Sequence, residues 1–267
     1  MESTKNDKRF DEHGLPRYLD MQARIGYTKH IGGIQSTRQL LDLCEVTADK
    51  TVLNVGCGGG ATNLYLAETY GNHSVGVDLK ENMVATAQGW AQRKGLSDKT
   101  EFRQASATDL PFEDNSFDIV ISESVNIFVP DRPKAIAEYK RVVTPGGVVG
   151  LNEPVQLNVP TAAVEKMMAD IIGYDLFLPE YWHELLSEAG LEDIVSKIGT
   201  ITIAQDSRNQ LAFFGKGEFL IILGRMLKAL FSDPYTRSIL RQATGNNLSE
   251  YTDYMGYGLF VGRRPNQ

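Results

Sequence analysis

The chain has 267 residues, of which 42% are hydrophobic and 23% charged, and it carries a formal net charge of -7. That length can bury a substantial core as one large domain or a domain with an insertion. The acidic balance argues against a nucleic-acid-binding face, which needs a basic excess, though a local basic patch stays open. Only two cysteines, Cys44 and Cys57, are present, too few for a disulfide framework. No apolar run reaches membrane-spanning length and no leader pattern opens the sequence, so the cytoplasm is the expected location. The histidines at 13, 30, 73 and 183 have no ligand spacing, and no metal is expected.

In chain order, residues 1–16 are charged and poor in apolar side chains, and read as an arm. A short helix is predicted over Arg17–Ile25, then a turn at Gly32 and Gly33, then a helix over Gln35–Glu45 that presents Leu40, Leu41 and Leu43. Strands and helices then alternate. Strand Thr51–Val55 precedes helix Ala61–Tyr70, and strand Ser74–Asp78 precedes helix Glu81–Lys94. Strands Glu101–Ala105 and Phe117–Ser122 lead to helix Arg132–Val143 and strand Val148–Asn152. Helices Thr161–Ile172 and Pro179–Ala189 follow, the second stopped by Gly190, and strand Ile194–Ile203 comes next. This alternation predicts an α/β fold with a mostly parallel, doubly wound sheet.

The most informative stretch is Asn54-Val55-Gly56-Cys57-Gly58-Gly59-Gly60 with Val77-Asp78 about twenty residues later. An apolar strand that ends in glycines, a helix, and a second strand tipped by a carboxylate form a nucleotide-binding half-fold. Glycine lets the backbone turn sharply and approach a ligand, and Asp78 is placed to accept from the two hydroxyls of a ribose. The alternative for Asp78 is the N-cap of the following helix. An adenosine-containing cofactor is therefore expected. The glycines at 56 and 58 with Ala61 also satisfy a looser dinucleotide pattern, so they do not choose the cofactor by themselves.

Three further segments do: Leu110-Pro111-Phe112-Glu113-Asp114-Asn115-Ser116-Phe117-Asp118, Arg141-Val142-Val143-Thr144-Pro145-Gly146-Gly147, and Tyr257-Gly258-Leu259-Phe260-Val261-Gly262-Arg263-Arg264. With the glycine turn and Val77-Asp78, these resemble the class I S-adenosylmethionine-dependent methyltransferases, and most nearly the small-molecule branch with the quinone and sterol C-methyltransferases. The resemblance runs from about Tyr27 to Leu151 and resumes in the last strand. It implies a seven-stranded Rossmann-like fold, S-adenosyl-L-methionine as cofactor with S-adenosyl-L-homocysteine as product, and in-line methyl transfer to a small-molecule acceptor at carbon, nitrogen, oxygen or sulfur.

The resemblance implies residue roles as well. The backbone of Gly56, Cys57, Gly58 and Gly60 packs against the methionine part and ribose, Asp78 holds the ribose hydroxyls, and Leu79 and Met83 flank the adenine. Ser106 and Ala107 stand where relatives carry an acid-Ala pair that contacts the adenine amino group, with Asp109 offset by three. Tyr27 and His30 close over the sulfonium end, with Tyr18 in the same aperture. Ser122 and Glu123 at the end of the fourth strand border the cofactor. Catalytic candidates are Glu123, His30 and Tyr27, and acceptor candidates are Tyr18, Asn126 and Glu153. Each of Glu123 and Glu153 reads equally as a structural capping or pairing group.

In similar enzymes the last two strands form a tight hairpin, whereas here residues 205–251 intervene. The expected organisation is an arm and closing segment (1–34), a core (35–204 and 252–267) and a helical lid (205–251). The lid carries helices Glu218–Phe231 and Pro234–Ala243. On the first, Phe219, Leu223, Met226, Leu227 and Leu230 share a face that fits packing onto the core, or else a peripheral membrane contact. A monomer or homodimer is expected. A nicotinamide-dependent oxidoreductase and a non-catalytic cofactor-binding protein are the rival functions.

Overall fold

The computed structural model describes residues 18–26, 30–162, 164–165, 176–202, 216–234, 236–237 and 252–266. In chain order it contains α1 (Tyr18–Ile25), α2 (Gly33–Leu43), β1 (Val52–Val55), α3 (Ala61–Thr69), β2 (Ser74–Asp78), α4 (Glu81–Lys94), β3 (Thr100–Gln104) and β4 (Phe117–Glu123). A single 3-10 turn (Asn126–Phe128) leads to α5 (Arg132–Val142), β5 (Val143–Gln156), α6 (Pro179–Glu188), β6 (Glu192–Thr200), α7 (Lys216–Ser232) and β7 (Met255–Arg263). The predicted helices Thr161–Ile172 and Pro234–Ala243 lie largely outside the described residues, as do the arm 1–17 and most of the expected lid.

The seven strands run in the order β3-β2-β1-β4-β5-β7-β6. Strand β7 is antiparallel to both its neighbours, and β1 to β5 pair in parallel. The chain winds outward in two directions from β1 and β4, so their C-terminal ends frame the crevice in which such sheets bind ligands.

The two faces of the sheet divide by the two-residue period of a strand. Leu53, Val55 and Val120 face a core with Ile136 and Tyr139 of α5 and Trp182 and Leu186 of α6. Val52, Ile119 and Ile121 face the opposite core with Leu40 and Leu41 of α2 and Leu66 of α3. Helix α6 stops as predicted: Gly190 has φ 73° and Leu191 N–H donates to the Leu186 carbonyl. Strand β5 begins five residues earlier than the sequence suggests. The Thr144–Gly147 stretch is held against the chain end, where Gly146 N–H donates to the Arg264 carbonyl and Arg264 N–H to the Gly147 carbonyl.

Helix α7 packs against α1 and α4, and its buried side chains are Ile222, in a cluster with Cys57, Leu64, Trp90 and Phe102, and Ala229. This corrects the predicted packing face. Leu223 and Leu227, expected inside, are exposed, together with Leu220 and Phe231 on the same side of the helix. A helix with apolar residues around most of its girth does not announce by periodicity which stripe is covered.

Candidate active site

At the tip of β1 the chain turns through Gly56, Gly58 and Gly60, all with positive φ (73°, 53° and 80°). A side chain at Gly56 would collide with Val125, so glycine there lets the loop after β4 lie directly on the turn. A Cβ at Gly60 would come within 2.8–2.9 Å of Ala87 and Phe102, and α3 starts at the next residue with no side-chain cap. The Asp78 carboxylate at the tip of β2 faces this turn. It accepts from Gly58 N–H and Lys80 N–H, each at 2.9 Å. Burial raises its carboxyl above the ordinary value, and those two N–H donors pull it back. The N-cap of α4 is Lys80, without a side-chain cap bond, so Asp78 serves the turn rather than capping the helix.

A second polar cluster lies behind the turn, around Glu123 at the tip of β4. Its Oε2 accepts from the Thr37 hydroxyl of α2 at 2.7 Å and from Asn152 Nδ2 of β5 at 3.2 Å. Its Oε1 accepts from the Thr62 hydroxyl of α3 at 2.8 Å. The His30 Nε2 sits 2.8 Å from the Thr37 oxygen and 3.6 Å from Glu123 Oε2. Thr37, Thr62, Asn152, His30 and Glu123 are all buried. Four elements thus meet on one carboxylate.

One residue further along β5, Glu153 gathers a different set of donors. Its oxygens accept from the N–H groups of Val125 (3.3 Å), Asn126 (2.9 Å) and Ile127 (3.3 Å) and from Asn126 Nδ2 (2.9 Å). Asn126 in turn donates to Ser122 Oγ at 3.1 Å and accepts from the Tyr139 hydroxyl at 2.9 Å. Burial pushes the Glu153 carboxyl up to about 7 against the pull of these donors, and it raises the Tyr139 phenol as well.

The comparisons with known proteins agree with this geometry. The family described as a methyltransferase domain matches residues 53–151. An uncharacterised protein of Haemophilus influenzae is 34% identical over 186 residues, covering 68% of this chain and 74% of that one. A phosphoethanolamine N-methyltransferase of Triticum aestivum is 30% identical over 237 residues, covering 87% of this chain and 45% of that one. The chain therefore spans about half the length of this wheat relative. Among solved structures, the [4+2]-cyclase SpnF matches with a TM-score of 0.72 at 21% identity, covering 94% of this chain and 96% of that chain. Phosphoethanolamine N-methyltransferase 2 of Haemonchus contortus, in complex with phosphomonomethylethanolamine and S-adenosylhomocysteine, matches with a TM-score of 0.71 at 20% identity, covering 92% of this chain and 57% of that chain.

The chain belongs to the class I S-adenosylmethionine-dependent methyltransferases. It is accordingly a transferase of the kind that uses S-adenosyl-L-methionine, and the nicotinamide-dependent oxidoreductase reading falls away.

The residues present fit that cofactor. In this methyltransferase Asp78, partly exposed beside the glycine turn, keeps acceptor capacity for a ribose diol beyond its two backbone partners. Cys57 is buried in the turn and its thiol is raised by burial, so it is an inert packing group there. Leu79 is 41% exposed beside the Asp78 tip, and Met83 is buried in the first turn of α4. Ser106 Oγ is engaged locally with Thr108 Oγ1 at 2.9 Å, next to the half-buried Ala107. Tyr18 opens α1, and its side chain, like the whole of Tyr27, lies outside the described residues.

Four of the expected site residues have enclosed side chains. Asn126 and Glu153 are fully enclosed and occupied with each other and with the loop backbone, the structural pairing that the sequence left open for Glu153. Ser122 is likewise buried, and its hydroxyl accepts from Asn126 rather than facing a cofactor. Glu123 does not project into open space. Its carboxylate stands behind Thr37 and Thr62, so direct contact with an acceptor gives way to support of His30. Sequence reasoning missed Thr37, Thr62 and Asn152. Only their polarity at otherwise apolar, sheet-facing positions could have marked them.

Proposed function

We propose that this methyltransferase acts on a small polar acceptor at an atom that must shed a proton, an amine nitrogen first among the candidates. The observation that carries this reading is the His30 imidazole, hydrogen-bonded through Thr37 with the buried Glu123 carboxylate behind it, beside the cofactor turn. The wheat relative's name, phosphoethanolamine N-methyltransferase, supports the same class.

When bound, S-adenosylmethionine supplies a methyl group activated by the sulfonium. The chain's part is placement: the backbone from Gly56 to Gly60 holds the methionine part and ribose, Asp78 accepts from the ribose hydroxyls, and Leu79, Met83, Ser106 and Ala107 bound the adenine. Holding the acceptor atom about 3 Å from the methyl, in line and away from water, accounts for most of the rate gain such an enzyme needs. His30, with Tyr27 and Tyr18 nearby in sequence, sits at the entrance and takes the acceptor's proton. We place the segments 1–34 and 205–251 as closing elements around the core formed by 35–204 and 252–267. The protein works in the cytoplasm as a monomer or homodimer. No described helix is long and apolar enough to cross a membrane.

One observation favours a second reading. The outward stripe of Leu220, Leu223, Leu227 and Phe231 on α7 would suit an apolar acceptor or a peripheral lipid contact. The deciding assay uses methyl-labelled S-adenosylmethionine with the purified full chain and a panel of phosphoethanolamine, ethanolamine and apolar prenyl and sterol acceptors. Label in the aqueous product supports the amine reading. Label that moves only into the organic phase rejects it in favour of the second.

A further inference from the structure

The hydrogen-bond directions around Thr37 fix more than a packing arrangement. A hydroxyl has one proton to give. The Thr37 proton lies on the 2.7 Å bond to Glu123 Oε2, because an ionised carboxylate oxygen can only accept. The 2.8 Å contact between Thr37 Oγ1 and His30 Nε2 must then be a bond in which the ring nitrogen donates. Nε2 therefore carries the proton in the neutral ring, and Nδ1 is the atom through which His30 gains or loses one.

The carboxylate itself is fixed from three sides. Thr62, two residues into the helix that leaves the glycine turn, holds Oε1, and Asn152 of β5 holds Oε2 together with Thr37. Among the described residues, the titratable groups at this cluster are His30, Glu123 and, from α2, the Cys44 thiol, which burial and then the Glu123 charge push upward.

We infer that His30, Thr37 and Glu123 form a proton-holding relay. Thr37 is a positioning residue that selects the Nε2–H form of the ring, and Glu123 is a positioning residue that holds the Thr37 proton and so sets that selection. In the step itself, one N–H bond of the acceptor's ammonium breaks, its electron pair stays on nitrogen as the lone pair that attacks, and the proton goes to Nδ1. The imidazolium later returns that proton to solvent. Thr62 ties the relay to the cofactor turn, so the base and the methyl donor are held in one frame. The inference rests on the protic-acceptor reading above for its use in catalysis, but its structural content can be tested without any acceptor.

The test is nuclear magnetic resonance of the full chain labelled with 15N-histidine and without ligand, in the wild type and in Thr37→Val, Thr37→Ser and Glu123→Gln, with His30→Asn to assign the signal. The wild type should show the Nε2–H form of His30. Thr37→Val should lose that preference, and Thr37→Ser should restore it. Glu123→Gln, whose amide can donate to the Thr37 oxygen, should weaken that preference too. In the transfer assay, Thr37→Val should lower kcat about tenfold or more with cofactor Kd within twofold, and Thr37→Ser should recover it. An Nδ1–H ring in the wild type, or a tautomer untouched by Thr37→Val, overturns the relay even if Glu123→Gln does not fold. Wild-type turnover in His30→Asn overturns instead the protic-acceptor reading, leaving the tautomer result to stand by itself.

Discussion

Glu123 ends β4, and Glu153 lies on the neighbouring parallel β5 one register step further on, since Glu123 stands opposite Asn152. By sequence they look alike, each a carboxylate at a strand tip followed by a loop. The donors around them differ. Glu153 accepts from three backbone N–H groups and one side chain, all within the single loop from Val125 to Ile127. Glu123 accepts from side chains only, on α2, α3 and β5, with His30 just behind. A carboxylate that binds the backbone of one loop sets that loop's shape. One that gathers side chains from separate elements can link those elements, and here they are the entrance segment and the cofactor turn. Asp78 stands between the two cases, with two backbone donors and a partly open face.

The largest effect should come from Glu153→Ala. It leaves several buried donors without an acceptor, at about 1–3 kcal/mol each, and should lower the melting temperature by about 10 °C or more in a chain of this size. A melting temperature within two or three degrees of the wild type would erase the distinction between the two glutamates. Asp78→Ala should show the opposite pattern. Cofactor Kd by titration calorimetry should rise about 10- to 100-fold, as expected for lost bonds to a charged group, while the thermal unfolding curve stays close to that of the wild type. Unchanged affinity would count against the whole cofactor assignment.

A third expectation concerns pH. The Glu153 carboxyl titrates near 7 in the folded chain against an ordinary value of 4.5. Below about 4.5 both states hold the proton. Between the two values the folded chain keeps a proton that the unfolded chain has lost, so the contribution of Glu153 to stability falls as pH rises, and it levels off above about 7. Comparing melting temperature against pH in the wild type and in Glu153→Gln should show this slope only in the wild type. Equal slopes would mean that the burial of Glu153 has no thermodynamic weight. The smallest effect is that of Tyr139→Phe, which removes the hydroxyl that donates to Asn126. It should cost about 1 kcal/mol with cofactor Kd unchanged, and a loss of cofactor affinity would blur the line between the two strand tips.

The fold was legible because its signals are local. The runs Thr51–Val55 and Ser74–Asp78, the alternating helices and the stop at Gly190 depend on periodicity and on residues that only glycine or an acid can replace. The glycine turn and the Asp78 tip that faces it were legible for the same reason, since Gly56, Gly58, Gly60 and Asp78 form one short strand-turn-helix-strand unit. The inward turn of the Ser122, Asn126 and Glu153 side chains was not legible, because a strand tip shows which residues reach the crevice end of the sheet, not which way each side chain turns there. The packing face of α7 was misread because its apolar residues cover more than one side of the helix.

Sequence by itself determined the order of strands and helices, the glycine turn and the carboxylate at the end of β2, because each follows from backbone conformation and spacing within about thirty residues. Only the tertiary structure decided that Thr37, Thr62, Asn152 and His30 converge on Glu123 while the Val125–Ile127 loop closes on Glu153. Those partners lie up to 93 residues from Glu123 along the chain. Their choice follows from the competition of buried donors for a few acceptors, which exists only once the sheet and its helices are packed.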